Sequence, residues 1–167
     1  MPSVLFVCTA NRFRSPLAAA FLAKALHDLG LTKDWRIGSA GTWATPGLPA
    51  LPRVVSTAPR FGIDLSAHSS TRVSRRVLSA YDLILVMQAG HREAILTEFP
   101  DLKDRLYLLS DVVERRAYDI PDSLETEEGI LEVSRELESL IRRGRDSICV
   151  LATYLYNARQ QARLHDG

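Results

Sequence analysis

Cys8-Thr9-Ala10-Asn11-Arg12-Phe13-Arg14-Ser15 places a thiol, a guanidinium and a hydroxyl within one short segment, with Pro16 directly after it. A cysteine in that company can attack a bound phosphoryl group. Successive backbone N–H groups of a loop that feeds a helix form a concavity of donors, and the helix N-terminus adds its positive end. Arg14 supplies a planar fork able to grip two oxygens of a tetrahedral anion. The same field favours the thiolate of Cys8, which is the form that attacks. A lone cysteine after an apolar run is usually a small core residue; the spacing to Arg14, Ser15 and Pro16 sets Cys8 apart.

Such a loop needs a strand before it and a helix after it. Val4-Leu5-Phe6-Val7 is a short continuous apolar run, the pattern of a strand buried on both faces of a parallel sheet. Ser15-Pro16 offers a helix N-cap followed by proline, and Leu17, Phe21, Leu22, Ala25, Leu26 and Leu29 follow at helical spacing up to Gly30. A second strand is expected at 35–40, a Gly/Pro/Thr loop at 41–52, and a helix over 51–61 despite Pro59. A third strand at 82–87, a helix at 89–99 and a fourth strand at 106–109 continue the alternation. Residues 126–143 form an amphipathic helix with Ile130, Val133, Leu137, Leu140 and Ile141 on one stripe, and Gly144 is its expected stop. Residues 148–164 read as one more helix, with Cys149 as a buried apolar residue of it. The fold class is therefore α/β, a single-domain three-layer sandwich. A central four-stranded parallel sheet carries helices on both faces, with an extra C-terminal helix. The expected division is a core over 1–143 and a helical extension over 144–167 packed on or beside it. In such a sheet the ligand sits at the carboxyl ends of the strands, where Cys8–Ser15 lies.

Bulk composition narrows the partners. The 167 residues are 46% hydrophobic and carry 21 Lys and Arg against 20 Asp and Glu. Nothing in that balance holds the chain on nucleic acid or an anionic membrane, so an anion site must be local. Two cysteines, Cys8 and Cys149, do not make a disulfide framework, and a reducing cytoplasm is the expected location. The start of the chain lacks the pattern of a signal peptide, and no apolar run reaches the ~20 residues of a membrane-spanning helix. His27, His91 and His165 lie on polar stretches without a ligand constellation and are expected to be solvated.

Cys-(x)5-Arg-Ser, taken with Asn11 and Pro16, resembles the signature loop of the low-molecular-weight protein tyrosine phosphatases. The resemblance extends through Ser39-Ala40-Gly41-Thr42, the segment 61–68, the strand 82–87 and Asp119-Ile120-Pro121-Asp122, covering about residues 4–143. It implies Cys8 as nucleophile, forming a cysteinyl-phosphate, and Arg14 as clamp on the transferring group. Thr9, Ala10, Asn11, Arg12, Phe13 and Ser15 complete the phosphate-binding loop, and Ser15 hydrogen-bonds the thiolate. Asn11 holds the loop through a network reaching Ser39 and His68, a structural role for that histidine and not metal ligation. Asp122 is the implied general acid, a contribution worth ~10²–10⁴-fold in rate. No metal or organic cofactor is implied. The substrate is a phosphorylated protein or small phosphomonoester, phosphotyrosine foremost, and the product is inorganic phosphate. A homodimer through the C-terminal extension is a further possibility.

Several positions depart from the family's usual pattern. Ala10 stands where the family commonly has glycine, adding a Cβ where positive φ was free. Phe13 replaces a second cysteine, so Cys8 lacks its internal disulfide partner and overoxidation becomes easier. Arg12 matches neither the aliphatic residue of tyrosine-acting members nor the threonine of arginine-phosphate-acting ones. Asp122-Ser123-Leu124 lacks the aromatic that usually follows the acid, leaving Arg12, Trp43 and Leu124 as the expected substrate rim. Three alternatives stay open: phosphoarginine hydrolysis, arsenate reduction using Cys149, and catalytically weak phosphate binding.

Overall fold

The computed structural model describes residues 1–167. Four parallel strands, β1 (Ser3–Cys8), β2 (Arg36–Gly41), β3 (Leu83–Val86) and β4 (Leu106–Leu108), are ordered β2-β1-β3-β4. All six residues of β1 are buried, as its unbroken apolar run requires of a central strand. Its residues alternate between two cores. Val4, Phe6 and Cys8 join Leu83 and Leu85 against α1 (Arg14–Asp28) and α6 (Glu127–His165) on one face. Leu5 and Val7 join Ile84 and Val86 against α3 (Arg75–Ser79) and α4 (Ala89–Glu98) on the other. The expected three-layer sandwich is thus present. Between β1 and β3 the strand order reverses direction, and the crevice at that switch point opens beside the carboxyl end of β1.

Local departures have local causes. Helix α1 begins at Arg14, one residue before the expected cap, with Phe13 at its N-cap and no side chain capping it. The Ser15 hydroxyl is engaged elsewhere, as described below. Gly30 does close α1: at φ 72° it allows Gly30 N–H to reach His27 O and Leu31 N–H to reach Leu26 O, a Schellman ending. Pro59 confines α2 to Pro52–Thr57, and the rest of the expected helix tightens into a 3₁₀ turn over Ala58–Phe61. Residue 109 begins a short helix, α5 (Leu109–Glu114), instead of ending β4.

The largest correction concerns Gly144. Two helices were expected on either side of it; α6 instead runs unbroken for 39 residues. Thr126 caps its start by accepting from Gly129 N–H at 2.9 Å, with Glu127 and Glu128 complementing the dipole. Gly144 is buried, and a Cβ there would collide with the Val113 side chain of α5. The glycine serves close helix packing and ends nothing. The C-terminal half continues the apolar stripe through Ile148, Ala152 and Leu155.

Candidate active site

Strand β1 delivers Cys8 to the switch point, and the chain then wraps into a loop before α1. Asn11 takes the left-handed conformation there, φ 57°, which asparagine tolerates better than most residues. Ala10 does not have positive φ, so the expected strain falls one residue later. Four contacts hold Asn11. Its Nδ2 donates to Ser15 Oγ at 2.8 Å and to Ser39 Oγ at 2.9 Å; its Oδ1 accepts from Thr71 N–H at 2.8 Å. His68 Nε2 lies 2.7 Å from the Asn11 carbonyl, close enough to donate to it. Ser39 and His68 therefore sit where the resemblance puts them. Gly41 at the end of β2 is a further support: a Cβ would press on Thr9 O and Asn11 N, so only glycine lets the strand pass behind the loop.

Cys8 Sγ lies 2.9 Å from Ser15 Oγ. Ser15 Oγ accepts from Asn11 and is also 3.2 Å from the Ala40 carbonyl, so its single proton can turn toward the sulfur. Arg14 is 2% exposed. Its Nη1 donates to Ile120 O at 2.9 Å and its Nη2 to Thr9 Oγ1 at 3.3 Å. Its Nε is the single buried side-chain nitrogen or oxygen in the chain with no hydrogen-bond partner. Asp122 Oδ1 is 3.6 Å from that Nε, an ion-pair distance too long for a hydrogen bond, and the Asp122 side chain is 45% exposed. A buried guanidinium with a vacant donor is costly unless an anion completes it.

The cleft above these groups is lined by Cys8, Ala10, Arg12, Phe13, Arg14, Leu51, Asp122 and Leu124. Arg12 donates from Nε to Pro49 O at 2.7 Å, which fixes it at the mouth. Leu124 lines the cleft as expected of a rim residue. Trp43 does not: its side chain is 78% exposed, outside the lining, while its backbone N–H bonds Thr9 O. Leu51 was missed, because the loop preceding α2 gives no local sign of folding back to the cleft; its N–H donates to Arg12 O at 3.1 Å. Phe13 packs in the core at 3% exposure, so an apolar ring stands beside Cys8 where a second thiol was absent from the sequence.

His91 is the more consequential omission. The expectation of a solvated histidine is wrong: it is 5% exposed, with Nε2 2.8 Å from Thr9 Oγ1. Gln88 N–H donates to its Nδ1 at 3.1 Å. Burial, aided by the nearby Arg14 charge and opposed by Asp119, pushes its pKa down to about 4. Cys149 is half-buried, and burial raises its thiol pKa. His27 and His165 are exposed.

Comparison with known proteins agrees with this geometry. The family described as low molecular weight phosphotyrosine protein phosphatase matches residues 3–161, further into α6 than the motifs alone had reached. A protein-arginine-phosphatase of Geobacillus stearothermophilus is 34% identical over 145 residues, covering 84% of this chain and 91% of the relative. A probable low molecular weight protein-tyrosine-phosphatase, EpsP, of Ralstonia nicotianae is 30% identical over 145 residues, covering 87% and 92%. Among solved structures, the YwlE arginine phosphatase mutant with a phosphorylated active site serine superposes with a TM-score of 0.80 at 28% identity, covering 95% of this chain and 98% of that one. This chain belongs to the low molecular weight phosphotyrosine protein phosphatase family.

Proposed function

We propose that the protein hydrolyses phosphotyrosine on proteins through a cysteinyl-phosphate at Cys8. The observation that carries this reading is the unpartnered Nε of buried Arg14, 3.6 Å from Asp122 Oδ1, on a residue that lines the cleft together with Cys8 and Asp122. A phosphoryl oxygen fills that valence, the loop N–H groups take the others, and Cys8 Sγ attacks phosphorus opposite the leaving oxygen. Asp122 protonates the leaving phenolate as the P–O bond breaks. The same carboxylate then takes a proton from water as the water's oxygen attacks the cysteinyl-phosphate, releasing inorganic phosphate. Ser15 O–H stabilises the departing thiolate.

Two features support an aryl ester over a phosphoguanidine. Ala10, Phe13, Leu51 and Leu124 give the cleft apolar walls suited to a ring, and Arg12 at the mouth repels a substrate whose leaving group becomes a guanidinium. Arsenate reduction through Cys149 has no observation in its favour. A turnover panel of phosphotyrosine, phosphoserine and phosphoarginine peptides, run with wild type and Asp122→Ala, tests the reading. Phosphotyrosine should lead, with Asp122→Ala losing ~10²–10⁴-fold. Faster turnover of phosphoarginine would reassign the substrate.

Two narrower readings belong here as well. The unpaired Cys8 and Cys149 support action in a reducing cytoplasm. Val150 and Tyr154, 70% and 68% exposed on the outer face of α6, support self-association through the C-terminal half of that helix. Sedimentation of wild type beside Tyr154→Glu checks this: a dimer should dissociate in the variant, and a monomeric wild type ends the proposal.

A further inference from the structure

Helix α4 is bound to both halves of the site. Ala89 N–H, in its first turn, donates to Asp119 Oδ1 at 2.8 Å, and Ile120 N–H of the same acid-bearing loop donates to Met87 O. Two residues into the helix, His91 turns toward the phosphate loop. A backbone N–H can only donate, so Gln88 N–H fixes Nδ1 as the acceptor and leaves the ring proton on Nε2. Nε2–H therefore donates to Thr9 Oγ1, the same oxygen that accepts from Arg14 Nη2. Thr9 Oγ1 thus has both lone pairs committed, one to the histidine and one to the clamp.

We propose that His91 is a positioning residue of the phosphatase reaction, holding Arg14 in register with the loop through Thr9 Oγ1. The inference rests on the reading of Arg14 as the phosphoryl clamp. Its geometry is specific. Arg14 is anchored on one side by Ile120 O and on the other by Thr9 Oγ1, and only that second anchor is a side chain free to rotate. Thr9 is itself exposed, so without His91 its hydroxyl would turn into water and Arg14 would lose one of its two supports. The charged groups around the imidazole are Arg14 and Asp119. An imidazolium there would set a second cation beside the guanidinium and turn an N–H against Gln88 N–H, so the relay operates with the ring neutral.

Two conservative substitutions separate positioning from mere packing. His91→Gln carries an amide N–H out toward Thr9 but cannot also accept from Gln88 N–H. His91→Asn keeps an acceptor for Gln88 but falls short of Thr9. The readouts are kcat/KM for an aryl phosphate and the inhibition constant of vanadate, measured across pH. His91→Asn and Thr9→Val should each weaken vanadate and lower kcat/KM by roughly 10-fold, and the double variant should be little worse than either. His91→Gln should stay within about 3-fold of wild type and lose the acid-side ionisation belonging to the imidazole. A histidine that only caps α4 gives the reverse order, Asn mild and Gln severe, and that order overturns the proposal. Unchanged vanadate affinity in Thr9→Val overturns it too, including when both His91 variants fold poorly. Cys8→Ser runs alongside: turnover surviving there contradicts the mechanistic reading itself, whereas an inactive Cys8→Ser with an unimpaired His91→Asn contradicts only the role of His91.

Discussion

The two ends of the central strands each set an arginine beside an aspartate, and the two clusters are built to opposite specifications. At the amino end, Asp82 accepts from Ser3 N–H at 2.9 Å, Ser3 Oγ at 2.8 Å and Arg159 Nη1 at 2.7 Å. Arg159 also donates to Tyr81 O at 2.9 Å and to Ser79 O at 2.7 Å, fastening the last turns of α6 to the sheet. Every buried side-chain donor and acceptor there has a partner. At the carboxyl end, Arg14 keeps one donor unsatisfied, and Asp122 stands 3.6 Å off and half in solvent. A closed polar cluster stabilises the fold; an open one leaves a valence for a ligand. Charge alone does not tell the two apart. The partner list does.

Substitutions at the two ends should therefore move different observables. The largest effect is on phosphoryl transfer to Cys8: Asp122→Asn should lose ~10²–10⁴-fold in kcat/KM for phosphotyrosine, and much less in kcat/KM for a nitrophenyl ester whose leaving group needs no proton. An equal loss on both esters would mean that Asp122 is not the acid. Arg14→Lys keeps the charge but not the fork, and kcat/KM should fall by ~10²–10³-fold with only a small shift in the unfolding midpoint. Arg159→Met inverts that pattern. It leaves Asp82 buried without its cation, so denaturant unfolding should show a loss of about 2–4 kcal/mol while kcat/KM is unchanged. If Arg159→Met lost activity as well, the two ends would not be independent.

How much of this contrast was legible in the chain follows from distance along it. Cys8, Arg14 and Ser15 lie on one short segment, so strand, loop, helix and chemistry were readable together. Ser39, His68 and Asp122 came only through resemblance to a family, because nothing local ties them to Cys8. His91 was misread, since its partner Thr9 lies 82 positions away and its own neighbours, Gly90 and Arg92, look like a solvated helix start. Gly144 misled for a related reason: a glycine after an amphipathic run is a stop signal by itself, and only the packing of Val113 against it shows another use. Helix α3, five residues long, carries too few turns to leave a period.

The smallest expected effect belongs to pH. His91 is held neutral in the fold, with its pKa near 4 against an ordinary 6.5, so the unfolded chain binds more protons between those values. Stability should fall as pH drops from about 6.5 toward 4, and His91→Gln should flatten that part of the profile. A wild-type profile identical to that of His91→Gln over this range would show that the imidazole is not buried as described.

The most direct test of the open cluster is to catch what it holds. Asp122→Asn, mixed with a nitrophenyl phosphate, acid-quenched and mapped by peptide mass spectrometry, should carry a phosphoryl group on Cys8, with a burst of nitrophenol approaching one per active site. Steady turnover with Cys8 unmodified, or a phosphoryl group on any other residue, would contradict the account.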